Sequence, residues 1–394
     1  MKNINILYFG LFLLLLFNGC EELERVPLTK DTVAPMKVKD PVIENIPGGA
    51  IINYTLPDET DLLYVKAEYT LANGKHFETR SSVYSNSLKI EGYGDTNEHD
   101  VKLYTVDRSE NISQPLNIKI QPLTPGVHSV KESLEIISDF GGVRYTWSNP
   151  DSCALAFIIL AKDSLGAIKP IETIYSGVIN GVYNLRGYDP EENVFGAVLR
   201  DRWDNYSDTA MAVLTPMFEQ KLDKSKFEKV ELEGDADVEN WGGRFEYMYD
   251  DNISTFCHSR AGTGWPQYVT IDLGAKVRLS RFTMVQRQGS SPSDIVFYGW
   301  GNPRLSEIWG RASTPTDGSW DGWTKLRDCV SIRPTEVGGT PAEDEKKYKE
   351  GDEYSFTLED PEVRYVRILV NETWSQTGFF HLAELTFFGQ EVNN

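Results

Sequence analysis

Cysteine is scarce in this sequence of 394 residues, which holds four: Cys20, Cys153, Cys257 and Cys329. Beyond Cys20 only three remain, so at most one disulfide can form and one thiol stays single. Covalent stapling therefore does not hold the fold together. Cations are also in deficit: 39 lysines and arginines face 59 aspartates and glutamates, a net charge of −20. Nucleic acid and anionic phospholipid both need a basic surface, and this balance argues against either as a partner. Catalytic signatures are missing too. There is no G-x-S-x-G, no H-E-x-x-H, no Cys-x-x-Cys and no phosphate loop. A glycosidase pair of carboxylates is defined by separation in space, so this scan leaves it open. No long stretch carries helical periodicity. One long apolar run exists, residues 6–17 behind Lys2, too short to span a membrane and typical of a secretory leader.

What the chain does have is short alternating runs: AIINYTL, VKLYTV, VRYTW, YVTIDL and RYVRILV, set between Gly, Pro, Asn and Asp clusters. Period-two alternation marks half-buried strands, and turn-bounded strands without helices mark antiparallel sandwiches. An all-β chain is predicted. The length after the leader is too great for one core and implies several domains. A repeat supports this. GGAIINYTLPD from Gly48 matches GGVRYTWSNPD from Gly141, an offset of 141 − 48 = 93, and VDRSEN finds its counterpart in RDRWDN. Each copy carries an early strand with Tyr54 or Trp147 pointing inward. In RDRWDN, domain packing is the economical explanation of Trp203 and of nearby Tyr206.

Three resemblances sharpen this reading. Phe17-Asn18-Gly19-Cys20 resembles the bacterial lipobox, and Glu21-Glu22 looks like the acidic signal that sends Bacteroidetes lipoproteins to the outer face of the outer membrane. That implies lipidation at Cys20, membrane attachment through this anchor, and exposure to the cell exterior. The two repeats resemble fibronectin type III, or immunoglobulin-like, β-sandwiches. The last part resembles the discoidin (factor V/VIII C-type, galactose-binding-like) jelly roll, through YDDNISTFCHSR from Tyr249, WPQYVTIDLGAKVRLSRFTMVQR from Trp265, RYVRILVNETWSQTGFFHLAEL from Arg364 and the terminal TFFG. The arrangement is similar to surface lipoproteins of Bacteroidetes polysaccharide utilisation loci. The expected boundaries are a signal peptide over 1–19, a linker over 20–33, fibronectin-like domains over 34–123 and 124–216, and a discoidin-like domain over 217–394. Once these are assigned no catalytic-sized domain remains, and the chain is expected not to be an enzyme.

The stretch DDNISTFCHS, from Asp250, raises three chemistries: thiol, metal or neither. A nucleophilic Cys needs a base beside it and a lowered pKa. Neighbours on a strand point to opposite faces, so Cys257 and His258 diverge and Cys257 reads as a buried, inert thiol. His258 is then a structural histidine or a sugar contact at a loop edge. Oxygen-rich turns suit calcium, but the EF-hand spacing fails at Thr255 and Ala261. The discoidin resemblance implies Asp250, Asn252, Thr255 and Glu384 as side-chain ligands of a structural Ca²⁺, with the Ala383 carbonyl. The alternative is a solvated acidic turn without an ion. Asp251 stands where that family has Gly, in a turn that can require positive φ.

Sugars are bound by aromatic faces and by planar polar side chains. By resemblance the site lies on loops at one end of the sandwich, where Trp241, Trp265, Arg287, Trp374 and Phe379 fall, with His258 and Arg260 as polar partners. Trp265 and Phe380 are also candidates for core packing. Trp374, flanked by Asn371 and Gln376, is expected to be the most exposed. DGSWDGW from Asp317 is either a hairpin with Trp323 tucked under or a second contact surface. The expected function is polysaccharide or oligosaccharide capture without catalysis. The alternative is a scaffold or adhesin docking to partner outer-membrane uptake proteins.

Overall fold

The computed structural model describes residues 32–163 and 165–392, so the leader and Cys20 lie outside the described residues. The chain is built almost wholly of antiparallel strands. In the first unit, Lys39–Ile46, Gly49–Thr55 and Ser87–Glu91 form a three-stranded sheet. His76–Ser82, Leu62–Thr70, His99–Asp107 and Leu116–Ile120 form a four-stranded one. Both face one core, in which Ala50, Ile52 and Ile90 of the first sheet meet Val65, Ala67 and Leu103 of the second. Alternation dictates this: in Gly49–Thr55 the residues Ala50, Ile52 and Tyr54 point inward while Asn53 and Thr55 face water.

The second unit repeats the strand order. Glu135–Asp139, Gly142–Ser148 and Asn180–Arg186 make the smaller sheet, and Ile168–Ser176, Leu155–Lys162, Asn193–Arg200 and Ala210–Leu214 the larger. The repeated turn is closed identically in both. Asp107 accepts from the backbone N–H of Ser109 and Asn111 and from Asn111 Nδ2, as Asp201 accepts from Trp203, Asn205 and Asn205 Nδ2.

In the second copy this turn also holds the two units together. The Trp203 ring lies against Gly92, where a Cβ would come within 2.8 Å of it, and the Arg202 guanidinium covers it at 4.1 Å. Arg202 pairs with Glu91 at 2.8 Å and Asn205 Nδ2 donates to Gly92 O. Trp203 is thus a packing residue, while Tyr206 remains 51% exposed.

The third unit is organised by the long strand Gln267–Val285. Its first half pairs with Val363–Thr373, its second half with Glu384–Glu391, and the register breaks between Asp272 and Val277. One strand therefore serves both layers, whose residues share one core, among them Ile271, Phe282, Ile308, Ile368 and Phe387. The corner is Gly274, at φ +77°. Among the described residues two α-helices interrupt the strands, Gly126–Glu132 and Pro341–Glu350. The second starts at a capping box in which Thr340 and Glu343 satisfy each other's backbone N–H.

The DGSWDGW hairpin closes over a fully buried arginine. Arg367 is 0% exposed, and its guanidinium lies 4.8, 4.6 and 4.5 Å from the ring centres of Tyr268, Trp320 and Trp323. It donates to Ser319 O and, through Nε, to Thr270 Oγ1, which in turn donates to Asp235. Trp323 is tucked under, as the hairpin reading expects.

Burial pushes the Asp235 carboxyl from 3.8 up to about 6, against the weaker pull of Thr270 and Arg367. Because the folded value is the higher one, ionisation opposes folding: the contribution to stability is complete below about pH 4 and is lost as pH rises through about 6. Asp235→Asn should therefore stabilise the chain by about 1–2 kcal/mol at pH 8, allowing for partial exposure, and by less at pH 4. Urea midpoints at the two pH values check this; an equal gain at both would sink it.

Candidate functional site

At one end of the third unit, loops from four segments bring rings together around His258. His258 lies on the two-residue strand Cys257–His258, paired with His381–Leu382. Its ring stacks on Phe379 at 4.5 Å and 21°, with Trp241 at 6.5 Å and His381 at 5.7 Å. Trp300 stands edge-on to Phe379 and His381, both at 5.7 Å. The Arg287 guanidinium lies 3.7 Å over Phe256 and 5.4 Å from Trp300.

The polar atoms of this cluster are held in definite states. His258 Nδ1 lies 2.8 Å from Ser259 O. A carbonyl only accepts, so Nδ1 carries the proton and Nε2 keeps its lone pair. Burial, aided by the Arg287 charge, holds His258 below the usual histidine range, so it is neutral at physiological pH. His381, fully buried behind it, accepts from Gly301 N–H and is lowered to about 3 by burial. The Arg287 guanidinium makes no hydrogen bond among the described residues, and its nearest opposing charge is the carboxylate of Asp294. The site thus offers one fixed acceptor, several free donors and ring faces: a set matched to hydroxyl groups.

The loops around it are strained. Trp241, Tyr298, Trp300 and Gln376 have φ of +53°, +44°, +52° and +51°. Bulky residues in this region cost free energy that the surrounding structure must offset, and such residues gather at binding sites.

Several sequence-based expectations need revision. Trp374 is not the most exposed of the candidate rings: it is half-buried, with Arg304 at 4.8 Å over one side and Tyr298 edge-on at 5.3 Å. Trp241, at 82% exposure, holds that place. Trp265 is half-buried against the core, and its Nε1 donates to Thr377 O. Of the seven sugar-contact candidates, the structure unites Trp241, His258, Arg287 and Phe379 and leaves Trp265, Trp374 and the exposed Arg260 outside the ring cluster. Phe256, Trp300 and His381 were not singled out by the sequence. The Gly299-Trp300-Gly301 triplet was the available sign, since only Gly at 301 lets Phe379 approach: a Cβ there would lie 2.7 Å from its ring.

Cys257 is fully buried and pushed up to about 12, an inert thiol as expected. Cys153, Cys257 and Cys329 are all free. In the acidic turn, Asp250 accepts from Thr255 Oγ1 at 2.9 Å and from Asn252 N at 3.0 Å, while Asn252 Oδ1 accepts from Ser254 N. Asp251 has φ +61°. Glu384 Oε1 is 2.7 Å from Lys224 Nζ. No group of three or more His, Cys, Asp or Glu suited to a metal ion occurs among the described residues, nor is any described helix long and apolar enough to cross a membrane.

Three family profiles match in sequence, all described as domains of unknown function: DUF4959 over residues 35–122, DUF5126 over 123–225 and DUF5000 over 245–389. No curated protein matches. Among solved structures, a SusE-like protein is 32% identical, covers 68% of this chain and 100% of its own, and superposes with a TM-score of 0.43. CBM32-3 from a family 31 glycoside hydrolase of Clostridium perfringens is 20% identical over 43% of this chain and 95% of its own, with a TM-score of 0.32. A family 32 CBM from the same organism, in complex with galactose, is 16% identical over 43% of this chain and 98% of its own, with a TM-score of 0.30.

Proposed function

This chain belongs to the SusE-like family, and from that premise we propose that it is a non-catalytic surface lipoprotein that captures glycan through the end loops of its C-terminal module. The anchor is Cys20, at the outer membrane and facing the exterior. The two repeats, taken as fibronectin type III-like domains over 34–123 and 124–216, act as a spacer for a discoidin-like module over 217–394. The observation that carries the reading is the ring cluster itself: the neutral His258 acceptor and the unpaired Arg287 donors, flanked by Trp241 and Phe379. A hydroxyl can donate to His258 Nε2 while a neighbouring sugar oxygen accepts from Arg287, and a C–H face can lie on Trp241.

The test is a binding scan of the chain without residues 1–20 against plant, mucin and microbial polysaccharides, followed by titration of variants. Arg287→Ala is expected to weaken binding by roughly 10- to 100-fold and Trp241→Ala by about 10-fold, through lost hydrogen bonds and stacking. Trp374→Ala should change affinity by less than about 2-fold, because its faces are already occupied. A blank against every polysaccharide, or binding insensitive to Arg287→Ala, would reject this site.

A second reading, docking to a partner uptake protein, is favoured by one surface. The outward face of the larger sheet in the second copy carries Ile158, Leu160, Val198, Met211, Val213 and Tyr175, the last three 44%, 61% and 74% exposed. The same face in the first copy carries Lys66, Glu68, Glu78 and Arg80 in ion pairs. One fold with two opposite surfaces indicates different neighbours.

A further inference from the structure

We infer that Lys224, assisted by Lys221, takes the place of a structural calcium ion in the C-terminal module, so that this module is stabilised by a built-in cation. The inference stands apart from the glycan reading and concerns only how the fold is held. Calcium gathers six to eight oxygens around one point. Here most oxygens of the expected ligands are otherwise engaged, although Glu384 Oε2 is buried without a partner. Asp250, Asn252 and Thr255 satisfy one another and the turn's backbone. Glu384 Oε1 accepts from Lys224 Nζ at 2.7 Å and from Leu385 N at 3.0 Å.

The ammonium stands between the strand and the turn. Lys224 Nζ lies 2.6 Å from Asp251 Oδ1, 2.7 Å from Glu384 Oε1 and 2.8 Å from Thr386 Oγ1. Three N–H donors meet three oxygens, which saturates the group. The Lys224 side chain is 7% exposed and that of Glu384 5%, so the pair is shielded from water and salt. Lys221 Nζ adds a second contact to Asp251 Oδ1 at 2.6 Å. Two ammonium groups thus bring the charge of one divalent ion to this place, Lys224 to both carboxylates and Lys221 to Asp251 alone.

The backbone fixes this placement. Gln220–Lys221 pairs with Phe388 and Gly389, Leu222 is buried in the core, and Asp223 caps the single turn Lys224–Lys226. The arrangement also accounts for Asp251. Its positive φ is costly for a residue with a Cβ, yet the side chain that replaces Gly supplies the oxygen that both lysines share.

Bound calcium is lost to a chelator, whereas a covalent ammonium is not. The unfolding midpoint of the full chain without residues 1–20 should therefore be the same, within about 1 °C, in 5 mM EDTA and in 5 mM CaCl₂. Lys224→Met should lower that midpoint by roughly 5–10 °C by leaving Glu384 buried and unpaired, and Lys221→Met, at an exposed contact, by less than about 3 °C. In Lys224→Ala the vacated space beside Asp251 and Glu384 should make the midpoint calcium-dependent. A saturable, EDTA-reversible rise in the unaltered chain would overturn the inference, as would equal losses in the Lys221 and Lys224 variants. The first measurement needs no variant to fold.

Discussion

Arg367→Ala is expected to lower the unfolding midpoint of the C-terminal module by about 10 °C. Three losses add. A large buried side chain leaves a cavity between Tyr268, Trp320 and Trp323, the guanidinium contacts with three rings disappear, and the Ser319 carbonyl and Thr270 hydroxyl lose their donor. Together these amount to about 3–5 kcal/mol, and a module of this size shifts by about 2–4 °C per kcal/mol. The volume and charge contributions can be separated. A buried arginine without a direct carboxylate partner is costly to desolvate, so Arg367→Met, which keeps most of the volume, should recover more than half of the loss. Differential scanning calorimetry of both variants decides the matter. A shift below about 2 °C for Arg367→Ala would mean that the hairpin is held by its own turn and not by this cage.

Gly274→Ala should be more damaging still, leaving little folded module at 37 °C. A Cβ at this position would lie 2.5 Å from Lys226 O and 2.6 Å from Lys226 Cβ. Backbone cannot swing aside as a side-chain end can. Positive φ adds about 1 kcal/mol, and the collision several more, because relieving it moves the Lys224–Lys226 turn that carries the buried ammonium. We expect soluble yield and the near-ultraviolet signal of the third core to fall, while those of the first two units persist. A variant that folds with an unchanged midpoint would show that the long strand can turn its corner without glycine.

The architecture was legible where the information is local. Alternation in Gly49–Thr55 and Gly142–Ser148, and the paired Asp-Arg-x-x-Asn turns, give the repeated strand order directly, because period and turn chemistry act over a few residues. The helix Pro341–Glu350 carried its signal too, in Thr340, Pro341 and Glu343, but it is short and was outweighed by the surrounding strands. The site was legible only in part. His258, Arg287 and Phe379 sit in recognisable strings, yet the exposure of a tryptophan depends on distant neighbours. Trp374 is covered by Arg304 and Tyr298, and nothing near it in sequence announces either. Lys224 is the extreme case, since its partner Glu384 lies 160 residues away. Read locally, Lys221 to Asp237 is a charged connector; in the fold it supplies both cations.

The pairing of Gln220 with Gly389 and Lys221 with Phe388 sets an order of events as the chain emerges, N-terminus first. In the first unit the strands Lys39–Ile46 and Gly49–Thr55 meet across two residues, and the unit is closed by the bridge between Pro47 and Leu123. The third unit must keep its opening strand unpaired until almost all of the remainder has appeared, and such distant pairing is slow. During that wait Leu222 lacks Phe387, whose carbonyl accepts its N–H, and Phe227 has Tyr249 but not Phe387 beside it. The unit most in need of a holding chaperone is therefore the third, whose first strand waits for Phe388 and Gly389 while the two sandwiches ahead of it are already complete.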